Sequence, residues 1–374
     1  MCFDRLLSDG TYAVVQPTNL SAILDHIKDA EIVFAGEDRH HIPEVIDVAF
    51  RLGLLLADRI SMKVFGIESL YGYHPFMEKA SLSALSAHEF DDLVVQYNQD
   101  KPKAERILMT AIDIEHSIAM PNLRYLAADY LFCLAHRSTS WKAILDLLKA
   151  AGGLFTGESP SELYGYLDQM WELFQTYRST YSPEDWENIS FSITLMHDAL
   201  EYHTQIHKYG SNAEVPIEVR ELRGKGFRQT IERAYLKAQG RASRLYCYVG
   251  DVHAFKTPVT EIVQRKMDKW PPATWPEAMY FDQMYEPTKG KIFSILLRTL
   301  ISHQHGETSY VPKDDLDDVV FERMGSADLL YVDLDRIAKE HGPESRASMY
   351  FTAQGPVADG VLFFREVGKE LREG

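Results

Sequence analysis

Cysteines are scarce in this sequence, and their number and spacing argue against two common stabilising devices. The 374 residues include only three cysteines, Cys2, Cys133 and Cys247, at wide intervals. Neither a disulfide framework nor a structural zinc site fits an odd number of widely spaced thiols. Cys133 and Cys247 lie in apolar runs, which predicts buried structural thiols.

Long apolar runs and a basic excess are also missing. No stretch reaches the roughly 18 apolar residues of a membrane span, and the first residues lack the apolar segment of a secretory signal. We therefore expect a cytoplasmic protein that binds no membrane. The net charge is −16, so we expect no nucleic-acid partner, and the expected partner is a small-molecule or peptide substrate.

The order of periodic segments indicates an α/β fold. An apolar strand at 31–36, a helix from Pro43 to about residue 58 and a strand at 64–67 form a βαβ unit with parallel strands. Helical spacing without a clear strand follows, and the α/β pattern then returns with strands at 245–249, 292–297, 329–334 and 361–364. The sequence predicts a mostly parallel central sheet flanked by helices, built from residues 1–70 and 211–374, with a large all-helical insertion over 71–210 as a cap.

Polar residues cluster directly after the first strand. Glu37 follows an apolar run, where a charged side chain needs a partner or a ligand. His40 is a candidate general base, because an unperturbed imidazole has a pKa of about 6.5. His41 and Glu44 are candidates for substrate binding. We expect Asp38, Arg39 and Asp47 to form a helix cap with surface ion pairs.

Two further strands end in the same way. Glu68 follows the second strand, and Asp251 and His253 follow the strand at 245–249. Carboxyl ends of parallel strands meet at one edge of a sheet. The sequence therefore predicts one site with Glu37, His40, Glu68 and His253 as catalytic residues and Asp251 as a substrate-binding residue.

These motifs resemble those of the erythromycin esterase-like family. The resemblance rests on Gly36-Glu37-x-x-His40-x-x-x-Glu44, on Gly66-Ile67-Glu68 and on Gly250-x-x-His253, and Arg223 matches a family arginine. It implies hydrolysis of an ester or amide without a cofactor, with His40 activating water and Glu37 and Glu68 orienting it. His253 and an arginine would bind the carbonyl, and the implied settings are biosynthesis or antibiotic resistance.

The chain departs from the family pattern in two places. Gly250 stands where the esterases usually have a further histidine, and Ala49 stands where they carry an arginine. Arg51, two positions further on, is either a substitute in substrate binding or a surface residue that shares a helix face with Glu44 and Asp47.

Two alternatives follow from groups related to this family. One is a metal-dependent peptidase or hydrolase of the Tiki type, with Glu37, His40 and His253 as ligands of a divalent metal. The other is a non-catalytic haem- or metal-binding protein like the ChaN group.

Overall fold

The computed structural model describes a large part of the chain, in several separate ranges. The described residues are 7, 11–16, 19–39, 42–70, 89–113, 164–165, 168, 171–172, 174–176, 178–206, 208–209, 215–258, 276–304, 307–310, 315–341 and 348–368. His40, His41, Cys2 and Cys133 lie outside them, so the predictions made for these residues stay predictions.

The chain divides into two compact units. The first, here the core unit, comprises Met1–Gly66, Ala87–Leu108 and Ala234–Gly374. The second unit comprises Ile67–Ser86 and Met109–Arg233. The role of residues 71–210 as a cap over the sheet stays a prediction.

A nine-stranded sheet forms the centre of the fold. Its strands are β1 Tyr12–Val15, β2 Ile32–Glu37, β3 Val64–Leu70, β4 Leu108–Asp113, β5 Leu245–Gly250, β6 Ile292–Gln304, β7 Glu307–Tyr310, β8 Leu329–Asp333 and β11 Gly360–Val367, and a separate pair is formed by β9 Phe351–Thr352 and β10 Gly355–Pro356. The strand order in the sheet is β1-β8-β11-β6-β2-β5-β3-β4, with β7 paired to β6. Parallel pairs join β2 to β5 and β6, and β6 to β11. The pairs β1–β8, β8–β11 and β6–β7 are antiparallel.

Helices flank this sheet, which confirms the predicted α/β class. In the described residues they are α1 Ser21–Ile27, α2 Pro43–Ile60, α3 Glu89–Asn98, α4 Pro183–Ile206, α5 Ile217–Gly240, α6 Glu277–Gln283, α7 Asp315–Met324 and α8 Leu334–His341, with short 3-10 turns at Arg178–Thr180 and Asp251–Ala254. The predicted helix from Pro43 is confirmed. Within the described part of the chain, no helix is long and apolar enough to cross a membrane.

The central strands are apolar because both of their faces are covered. All six residues of β2 are buried, and so are the first five of β5. Continuous apolar runs are typical of parallel strands between two layers of helices. Glu37 is the one charged residue of β2, and it stands at the carboxyl end.

One strand lies where the sequence predicted only helices. β4 falls inside 71–210, so the prediction that this segment is helical throughout is wrong at Leu108–Asp113. Its sequence, Leu-Met-Thr-Ala-Ile-Asp, contains strong helix formers and only two β-branched residues. Pairing at the edge of the sheet overrides these local preferences.

Candidate functional site

The strand register places three charged residues in one row at the carboxyl edge. Glu37, the last residue of β2, pairs with Gly250 of β5 and with Leu297 of β6. The next residue along each strand is Asp38, Asp251 and Arg298, respectively. This edge is where parallel α/β sheets place ligands.

His253 forms a buried pair with a carboxylate at this edge. The residue lies in the 3-10 turn that follows β5, and its Nδ1 is 2.6 Å from Oε2 of Glu277 in the first turn of α6. Both side chains are less than a tenth exposed. The backbone N–H of Met279 donates to the carbonyl of Phe255 at 3.0 Å, which ties α6 to the turn that carries His253. The pair therefore sets the ring orientation of His253.

Glu277 was missed in the sequence. It follows Pro276 at the start of a helix, where an acidic residue commonly interacts with the helix dipole. That local explanation is sufficient for a glutamate at this position. Its contact with His253 lies 24 residues away in the sequence, and no spacing rule links the two.

Glu37 also has a buried partner that was not predicted. The hydroxyl of Tyr248 on β5 donates a hydrogen bond to Oε2 of Glu37. Tyr248 pairs with Ala35, two residues before Glu37, so the two side chains are diagonal neighbours on adjacent strands. The carboxylate is thereby held in place within the protein.

Gly36 lets the turn after β5 pack directly on β2. A Cβ at this position would lie 2.6 Å from Cβ of Ala254 and 2.9 Å from Cα of Asp251. No side chain fits at that distance without movement of the backbone. The glycine of the Gly-Glu motif is therefore required by the close approach of the turn that carries His253.

Asp38 and Asp251 face a fully buried arginine. Nη1 of Arg298 lies 3.4 Å from Oδ2 of Asp38 and 3.7 Å from Oδ2 of Asp251. The Asp38 side chain is only 1% exposed, so the prediction of a surface ion pair is wrong for this residue. The reason is its partner, which comes from a strand far away in the sequence.

Charged residues of α2 are arranged differently from Asp38. Arg51 binds Asp47 at 2.7 Å, and both side chains are more than 40% exposed. This confirms the predicted surface ion pair of Asp47, and it places Arg51 in a surface pair. Glu44 accepts a hydrogen bond from the backbone N–H of Gly368 at 2.6 Å. A role of Arg51 or Glu44 in substrate binding stays a prediction.

Glu68 and Arg223 meet in the second unit. Nη2 of Arg223 lies 3.0 Å from Oε1 of Glu68 and 2.7 Å from Oδ2 of Asp113. The Nε of Arg223 donates to the other oxygen of Asp113 at 3.2 Å, so that carboxylate is bound in a two-point contact. Because Glu37 and His253 belong to the core unit, the predicted gathering of Glu68 with them stays a prediction.

The described residues contain no group of three or more His, Cys, Asp or Glu side chains arranged to hold a metal ion. His40, one of the ligands in the metal alternative, lies outside them, so that alternative remains open.

Cys247 is fully buried, as predicted, and burial raises the pKa of its thiol.

Comparison with known proteins shows a shared fold. No family model matches the sequence, and no curated protein matches it either. Among solved structures, a mutant of the erythromycin esterase EreC in its open conformation aligns with a TM-score of 0.64 at 14% identity, over 96% of this chain and 98% of that one.

Two other solved structures align over nearly their whole length. A succinoglycan biosynthesis protein has a TM-score of 0.61 at 12% identity, covering 94% of this chain and 93% of that one. A protein from Bacillus cereus has a TM-score of 0.58 at 13% identity, covering 96% and 94%. The chain therefore has the fold of an erythromycin esterase, which confirms at the level of the fold the resemblance that the motifs predicted.

Proposed function

We propose that this protein is a hydrolase that cleaves a carboxylic ester or amide with histidine-activated water at the carboxyl edge of the sheet. The observation that carries the proposal is the buried pair of His253 and Glu277, with 2.6 Å between Nδ1 and Oε2. The fold shared with an erythromycin esterase supports the same reaction class.

Glu277 determines which ring nitrogen of His253 takes part in the proposed reaction. A carboxylate accepts hydrogen bonds, so Nδ1 of His253 carries a proton, and Nε2 is the nitrogen that we assign to the carbonyl oxygen in the proposed reaction. The nearby negative charge also stabilises the imidazolium form. An imidazolium donates from Nε2 to a carbonyl oxygen, whose negative charge grows as water attacks. His253 thus stabilises the oxyanion in the proposed reaction.

The proposed base is His40, with Glu37 as its orienting carboxylate. His40 takes a proton from water while the oxygen of that water forms a bond to the carbonyl carbon. The proton then passes to the leaving alcohol or amine as the bond to the carbonyl carbon breaks. The hydrogen bond from Tyr248 holds Glu37 in place for this role.

The test is turnover of a panel of activated esters and peptides by the wild type, His40→Ala and His253→Gln, each with and without a chelator. We expect both variants to lose at least about a hundredfold in kcat, and the wild type to be insensitive to the chelator. Loss of wild-type turnover in the chelator would replace the metal-free mechanism with a metal-dependent one. No wild-type turnover of any ester or peptide would contradict a hydrolase of this class.

A further inference from the structure

Arg298 is a charged side chain that is almost completely buried near the proposed site. It is 1% exposed and lies on β6, one residue beyond Leu297, which pairs with Glu37. Burial alone would lower its pKa, but Tyr350 and the carboxylates of Asp38, Asp317 and Asp251 raise the pKa above the ordinary value. The guanidinium therefore stays charged.

The guanidinium of Arg298 faces two groups of partners in the core unit. Nη1 faces Asp38 and Asp251, which follow β2 and β5. Nη2 lies 3.9 Å from Asp317 on α7, and Nε donates to the hydroxyl of Tyr350 at 3.1 Å. Tyr350 in turn donates to Asp317 at 2.5 Å. Asp317 and Tyr350 thus anchor one side of the guanidinium, and the other side faces the two strand ends.

A cluster of this kind is a poor source of stability. Removing one cation and three carboxylates from water is costly, and apolar residues of similar volume often stabilise a core as well or better. The planar guanidinium is suited instead to holding several acceptors in one fixed geometry. Its two strand-end partners adjoin proposed site residues, since Asp38 follows Glu37 and Asp251 lies two residues before His253.

We infer that Arg298 is the positioning residue of this edge, and that it holds the turns after β2 and β5 in one arrangement through Asp38 and Asp251. Its effect on turnover rests on the proposed function, but its effect on the two turns does not. The structure offers a matched control in Arg244, whose Nη1 donates to the carbonyls of Lys28 at 2.5 Å and Ala30 at 3.1 Å. Arg244 lies directly before β5 and binds carbonyls that precede β2, so it joins the same two strands at their amino ends.

The first readout is amide hydrogen exchange in the full-length protein, which needs no substrate. We expect Arg298→Met to raise the rate of amide exchange at least about tenfold in the segments 36–39 and 250–254. Exchange at 32–34 and 245–247 should stay at the wild-type rate. Arg244→Met should leave 36–39 and 250–254 unchanged. Wild-type exchange in these segments of Arg298→Met, or the same acceleration in Arg244→Met, would overturn the inference.

Arg298→Lys is the variant for the same exchange measurement if Arg298→Met does not fold. The ammonium keeps the positive charge but cannot face all four partners in one plane, so we expect a smaller acceleration in the same two segments. Exchange identical to the wild type in Arg298→Lys would show that charge alone is sufficient and would overturn a positioning role.

The second readout is steady-state kinetics on any ester or amide that the wild type hydrolyses. We expect kcat to fall at least about tenfold in Arg298→Met, with KM within about threefold and partial recovery in Arg298→Lys. Unchanged kcat would overturn the role in turnover. If the wild type hydrolyses nothing, the proposed function fails and hydrogen exchange still decides the positioning role.

Discussion

At the scale of single residues, two buried histidines with carboxylate partners are arranged in different ways. His253 contacts Glu277 through Nδ1, in a turn at the carboxyl edge. His303 lies in β6 with Nδ1 2.8 Å from the hydroxyl of Thr308 and with Nε2 bound to Glu366. Both ring nitrogens of His303 thus serve contacts among β6, β7 and β11, which is the arrangement of a structural histidine.

Gly36 offers a residue-scale prediction. We expect Gly36→Ala to lower the free energy of unfolding by about 1–3 kcal/mol, because the new methyl group would overlap Ala254 and the backbone of Asp251. Turnover should also fall, since relief of the overlap moves the turn that carries His253. Chemical denaturation and kcat measure the two effects. Wild-type stability in this variant would contradict the close packing.

The sequence was informative about some residues of the candidate site and silent about others. Glu37 and His253 were predictable, because a charged or polar residue directly after an apolar strand stands out from its neighbours. Glu277, Tyr248 and Arg298 were not, because each resembles an ordinary helix or strand residue until its distant partner is known. The burial of Asp38 was missed for the same reason.

At the scale of elements, α2 ends in a strained conformation. Pro43 opens the helix and Ser61 follows its last residue in the left-handed region, with φ 59° and ψ 35°. A side chain disfavours this region, and glycine adopts it readily. The carbonyl of Ser61 accepts hydrogen bonds from the hydroxyl of Ser243 and the N–H of Arg244, and this holds the conformation.

We therefore expect Ser61→Gly to raise the free energy of unfolding by about 0.5–1 kcal/mol, since the backbone contacts remain and the strain is removed. Ala242→Gly should act in the same direction, because Ala242 has a φ of 51°. Equilibrium denaturation gives both values. Destabilisation of both variants would show that these positions carry no strain.

Strand predictions succeeded where long-range pairing agreed with local pattern. β2 and β5 are continuous apolar runs, and they pair in parallel. β6 continues to Gln304, beyond the predicted end at residue 297, because β7 and β11 pair with its second half. That extension depends on strands elsewhere in the chain, which local pattern does not reveal.

At the scale of the whole molecule, one buried carboxyl should make stability depend on pH. Asp359 is 8% exposed, and burial raises its pKa from 3.8 to about 6, although Lys256 lies 2.9 Å away and opposes this change. The nearby carboxylate of Asp335 adds to the rise, and the backbone N–H of Ser294 donates to Asp359 at 2.7 Å. The folded protein therefore binds this proton more tightly than the unfolded chain does.

Because the folded state holds this proton more tightly, the free energy of unfolding falls as the pH rises. The contribution of Asp359 is fully present below about pH 4 and is lost as the pH rises through about 6, on the order of 3 kcal/mol in total. Asp359→Asn cannot titrate. The stability of the wild type relative to this variant should therefore fall between about pH 4 and about pH 7.5. A difference that does not change with pH would contradict the raised pKa.

The shared fold extends over nearly the full length of three solved structures at 12–14% identity. A fold can persist with so few identical residues because burial and strand order restrict the residue type at a position much less than a chemical role does. The proposed reaction therefore rests on individual side chains at the carboxyl edge, above all on His253 and Glu277.

The proposed mechanism is tested most directly by kcat of Glu277→Gln on an ester or amide that the wild type hydrolyses, beside the matched control Glu366→Gln. The glutamine side chain keeps the size of the glutamate but removes the charge that stabilises the imidazolium of His253. We predict a loss of about 10²–10⁴-fold in kcat for Glu277→Gln with KM nearly unchanged, and kcat within about threefold of wild type for Glu366→Gln. Wild-type kcat in Glu277→Gln, or equal losses in both variants, would contradict a catalytic role for the His253–Glu277 pair.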